Sequence, residues 1–110
     1  EILPSDWSSD VCSSDLKWQE VYILNGLGSL RLAETEHPLG LDLPPVCEPF
    51  TVDGPLEIAS LVGTVRFEGE SPFVHLHGSF VKNSKEVYGG AVNRGTTAYR
   101  GVEMFLMIVQ

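Results

Sequence analysis

Apolar and polar positions alternate with a period of two through most of this chain from residue 20 onward, and that period predicts strands. Val21-Tyr22-Ile23-Leu24 is a short apolar run that Asn25-Gly26 should end in a turn. Ser29 to Glu36 sets Leu30, Leu32 and Ala33 against Arg31, Glu34 and Glu36, the pattern of a half-exposed strand. Five prolines (38, 44, 45, 49 and 55) with Gly40 and Gly54 predict a long loop or a pair of short edge segments over residues 37–55, because proline donates no ladder hydrogen bond. Leu56 to Glu68 is the longest strand pattern. Leu61 and Val65 fall on one face, Leu56, Ile58 and Val62 on the other, so both faces are apolar and the strand should be central. Ser71 to Val92 reads as two strands around the polar turn Lys82-Asn83-Ser84-Lys85, and Tyr99 to Val109 closes the sheet. The residues alone therefore support one domain with a mainly antiparallel sheet.

The chemistry of interest lies on the strand after residue 71. Phe73, His75, His77 and Ser79 share one face, and Val74, Leu76 and Phe80 share the other. Two imidazoles two residues apart stand about 6.5 Å from each other along the strand, close enough to serve one metal ion such as zinc or one anionic ligand. The plainer reading is a polar or hydrogen-bonded pair, since zinc sites want three or four ligands. Gly89-Gly90 on the returning strand would let a ligand or backbone approach closely. Glu103, between Val102 and Met104, needs a partner, either Arg100 or a metal beside His75 and His77. His37, next to Pro38, reads as an exposed loop residue, and Cys47 as an incidental thiol.

The run Phe73-Val74-His75-Leu76-His77-Gly78-Ser79-Phe80, the polar turn, and Val87-Tyr88-Gly89-Gly90-Ala91-Val92 resemble the closing strands of the plant and prokaryote conserved (PPC) domain. Asn25-Gly26-Leu27-Gly28-Ser29-Leu30-Arg31 resembles the family's glycine-rich turn into an arginine-bearing strand. Gly54 to Gly63 resembles its Glu-Ile-Leu-Ser-Leu-x-Gly strand. The resemblance covers about residues 20 to 110. It implies an α+β fold of the PPC and acetolactate decarboxylase-like kind, a homotrimer, and a bacterial, cytoplasmic protein associated with DNA. It also implies a ligand or interface role for Gly89, Gly90 and Arg31. The family's third histidine follows the glycine pair, and this chain has Ala91 there. The leading expectation is a non-enzymatic oligomerisation and interaction domain with a vestigial metal or small-ligand site at His75 and His77. The alternative is a metal-dependent enzyme of the acetolactate decarboxylase-like fold using His75, His77 and Glu103.

Asp6 to Leu16 reads, residue for residue, as a translated short-read sequencing adapter. Residues 1–16 are therefore expected to be an artefact that packs against nothing, and residues 17–110 a PPC-like domain lacking its first strand and helix. Without that leader the formal charge falls from −8 to −4, with eleven acids against seven bases. The leader also takes one of the two cysteines, and a lone Cys47 suits a reducing compartment. No Arg-Gly-Arg-Pro hook is present, and the bases are scattered along the sequence among acids, so direct binding to nucleic acid is not expected.

Overall fold

The computed structural model describes residues 20–68 and 70–109; the leader lies outside the described residues. Five strands follow in order: β1 (Glu20–Pro38), β2 (Cys47–Glu68), β3 (Ser71–Lys82), β4 (Glu86–Val92) and β5 (Thr97–Val109). All neighbours are antiparallel. The sheet runs β2-β3-β4-β1-β5, and a further pairing of β2 with β1 rolls it into a barrel-like form. Closure between β4 and β1 rests on the pairs Thr35 with Val92 and Glu36 with Ala91. The mainly antiparallel sheet is present and strands alone enclose the core; the helix of the α+β expectation, assigned to the front of the domain, has no counterpart among the described residues.

The core is built from the inward side chains of four strands: Val21, Ile23, Leu30 and Ala33 of β1, five residues of β2, Leu76 and Phe80 of β3, and Val92 of β4. β2 shows how the two apolar faces read from its sequence resolve. A register shift against β3 between Ile58 and Ser60 adds one residue, so Leu56 and Ile58 before it and Leu61 and Val65 after it are all buried, while Glu57 and Val62 face outward. The strand is central, with β1 and β3 on its two sides.

Two boundaries differ from the sequence pattern. Asn25-Gly26 does not end β1; the strand continues to Pro38, and register shifts against β5 at Ile23/Asn25, Ser29/Leu30 and Leu30/Leu32 absorb the glycine-rich stretch. Gly28, at φ 142°, lies so close to the Gly101 carbonyl that a side chain there would collide with backbone. The proline-rich stretch also pairs. Pro49 faces Glu36 and β2 already runs from Cys47, leaving residues 39–46 between the strands. Proline is tolerated because this end of β2 has β1 on one side only, so a missing donor on its other edge breaks no ladder.

Two buried threonines fasten the open end of the barrel. Thr96 Oγ1 accepts from the Glu34 amide at 3.0 Å and donates to the Asn93 carbonyl at 2.9 Å, and Thr35 Oγ1 donates to the Phe50 carbonyl at 2.9 Å. At the opposite end of β1, the Tyr22 hydroxyl donates to Glu20 at 2.6 Å, which raises its pKa, and Glu20 pairs with Arg66 of β2 at 3.6 Å.

Candidate functional site

The alternation on β3 places the histidines as its sequence pattern implies. Leu76 and Phe80 are fully buried and Val74 partly so, while Phe73, His75 and His77 are exposed on the outer face. Thr64 and Val62 of β2 lie opposite His75 and His77. On the other side of β3, His77 faces Ala91, Gly78 faces Gly90, and Ser79 faces Gly89. Ser79 extends the polar row through a hydroxyl contact of 2.7 Å with Ser60.

The two imidazoles meet edge to face, with centroids 4.9 Å apart, planes at 66°, and Nε2 atoms separated by 2.9 Å. At that distance one Nε2 donates and the other accepts. Two imidazole nitrogens in a tetrahedral zinc shell would stand about 3.3 Å apart, so a small opening of the pair suits chelation by two ligands. A third donor is missing. Among the described residues no group of three histidine, cysteine, aspartate or glutamate side chains could hold a metal ion. Ala91 occupies the adjacent cross-strand position, and Glu36, the next residue across, stands two strand spacings or about 10 Å from His77. The donor set does not fit a resident metal.

The other sequence candidates disperse. Glu103 lies on β5 opposite Leu27, with β1 and β2 between its strand and β3. It is exposed, so water satisfies it, and the need for a partner read from its apolar neighbours disappears. His37 sits in β1 opposite Glu48 rather than in a loop. It is exposed, and its ring covers Gly90, where a Cβ would meet Cε1 at 2.7 Å. Cys47 is exposed at the start of β2. Arg31 is far along β1 from the histidine row, with its guanidinium 5.8 Å from the centre of the Tyr99 ring. Sequence reasoning missed Tyr99 and Thr96, whose partners come from distant parts of the chain.

The sequence matches the Plants and Prokaryotes Conserved (PCC) domain over residues 12–110. No curated protein sequence matches the chain significantly. Among solved structures, a plant- and prokaryote-conserved protein of Pyrococcus horikoshii is 23% identical, with a TM-score of 0.73 and 96% of this chain and 71% of that one covered. A metal-containing protein of Archaeoglobus fulgidus is 22% identical, with a TM-score of 0.71 and coverage of 94% and 66%. A candidate DNA-binding protein of Ralstonia eutropha JMP134 is 18% identical, with a TM-score of 0.71 and coverage of 96% and 67%. These likenesses show the fold, and the chain spans between 59% and 71% of the length of these and a further solved relative.

Proposed function

This chain belongs to the Plants and Prokaryotes Conserved domain family, and we propose that it is a non-enzymatic oligomerisation and interaction domain that assembles as a homotrimer. The observation that carries this reading is the far half of β5. Leu106 and Ile108 lie opposite the buried Ile23 and Val21, yet they are 38% and 41% exposed. Phe105, Met107 and Val109 are exposed as well, so this strand offers apolar surface on both faces. A contiguous patch of this kind marks a surface that a partner covers, and β5 is also an edge strand open to further pairing.

His75 and His77 enter this reading as a polar pair, with Ala91 across from His77 where the family resemblance would put a third histidine. Association with DNA comes from the description of the Ralstonia relative as a candidate DNA-binding protein; for this chain we read it as indirect, through partners, because even without the leader eleven acids outweigh seven bases. The acetolactate decarboxylase-like metalloenzyme is the weaker reading, since Glu103 stands apart from the histidine pair.

Sedimentation equilibrium of the chain at micromolar concentration should give about three times the 12.1 kDa monomer mass. Leu106→Glu with Ile108→Glu should shift it to monomer. A monomer at every concentration would sink the assembly reading, and a trimer unaffected by the double variant would move the interface away from β5.

A further inference from the structure

Away from the histidine row, two adjoining hollows share Pro55 and Tyr99 as a common wall. The larger, of about 320 Å³, is lined by Ser29, Glu57, Asn83, Ser84 and Arg100 among others; the smaller, of about 230 Å³, is bounded by Arg31 and Gly54. The Arg31 guanidinium lies 5.8 Å from the centre of the Tyr99 ring, and Arg100 follows Tyr99 on β5 and lines the larger hollow. Tyr99 is 53% exposed, an unusual position for an aromatic that the core does not use.

Four of the chain's seven bases come to this end. Arg31 and Arg100 line the hollows, and Lys82 and Lys85 flank the turn residues Asn83 and Ser84 that close one side. That turn is well defined: Asn83 and Ser84 have φ of 54° and 58°, and the Lys85 amide bonds the Lys82 carbonyl at 3.1 Å. The Arg100 backbone is held in turn, its amide donating to Ser29 Oγ at 3.1 Å. Among the described residues the ion pair is that of Arg66 with Glu20, so neither Arg31 nor Arg100 is neutralised by a carboxylate in contact. Uncompensated guanidiniums around a concave, partly apolar wall attract an anion, and planar guanidinium suits carboxylate or phosphate. The flat surfaces of Tyr99 and Pro55 suit a ring. Glu57, on the β2 wall, would accept a hydrogen bond from a ring amino group or a hydroxyl.

We propose that the cleft formed by Arg31, Tyr99, Arg100 and the Asn83-Ser84 turn binds a small planar anion, a heteroaromatic ring bearing a phosphate or carboxylate. It lies apart from the histidine pair and, although Tyr99 and Arg100 belong to β5, on the half of that strand away from the apolar run Phe105 to Val109. The hollows fall at the small end of ligand sites, which favours a single-ring or nucleoside-sized molecule over a polymer.

The full chain is titrated with adenosine monophosphate and, separately, with nicotinate, by calorimetry and by amide and side-chain NMR shifts. At least one should bind with a submillimolar dissociation constant and shift Tyr99 and Ser84 but not His75. Adenosine and inorganic phosphate should each bind at least tenfold more weakly than the monophosphate. Arg31→Met and Arg100→Met should each weaken binding tenfold or more, with Arg100→Lys recovering part of it, and His75→Ala leaving it unchanged. If neither probe shifts Tyr99 at millimolar concentration, or the arginine variants bind as the parent does, the proposal is overturned. A short duplex that binds more tightly than either probe and loses affinity in the same variants would overturn it in favour of nucleic acid. Should the Met variants fail to fold, the parent's shift map and the Lys variant decide alone.

Discussion

At the residue scale, the histidine pair shows how one neighbour decides what a constellation can do. Ala91 lies directly across from His77, and cross-strand neighbours have Cβ atoms about 5 Å apart, close enough for two imidazoles to converge on one ion. Ala91→His should therefore complete a three-nitrogen site. Calorimetry with zinc should show at least a tenfold gain in affinity over the parent; no gain would leave His75 and His77 as polar surface residues. Thr96 makes the complementary point about buried polar groups. Its hydroxyl serves both a Glu34 amide and an Asn93 carbonyl, satisfying groups that would otherwise be costly to bury at the open end of the barrel.

At the element scale, irregularities shape the sheet more than the regular alternation does. The shift at Ile58/Ser60 turns β2 so that it meets the core from Val52 to Val65, and the shifts in β1 let it change partners from β5 to β4. At Gly28, with φ 142°, β1 leaves no room for a side chain against the Gly101 carbonyl of β5. Gly28→Ala should destabilise the fold by about 3 kcal/mol, from backbone strain and overpacking together. Urea unfolding measures this; a loss below about 1 kcal/mol would show that β5 can shift away from β1 without cost.

At the scale of the whole molecule, charge and shape point to different partners. The formal charge, −8 for the whole chain and −4 without the leader, opposes a phosphate backbone, while the apolar half of β5 and the basic cleft are local features that overall charge does not describe. Duplex DNA should bind this chain more weakly than about 10⁻⁴ M at physiological salt. Fluorescence anisotropy with a labelled duplex is the check, and a salt-sensitive micromolar interaction would mean that the Arg31 and Arg100 ends of several subunits combine into one basic surface.

Period-two alternation by itself determined the strands and the outward row of His75 and His77, because on a strand the face of a side chain follows from its position in the chain. The expectation of a third imidazole where Ala91 stands came from the family resemblance and not from the alternation. Strand limits around Asn25-Gly26 and Pro49 were not legible, since a glycine that permits a bulge and one that permits a turn are the same residue, and a proline's cost depends on whether a neighbouring strand needs its amide. Only the tertiary structure separated Glu103 from the histidines and gathered Arg31, Asn83 and Arg100 around Tyr99. The reason is physical: which strands become neighbours is settled by long-range pairing and closure of the barrel, and residues on different strands carry no local signal of whether they meet.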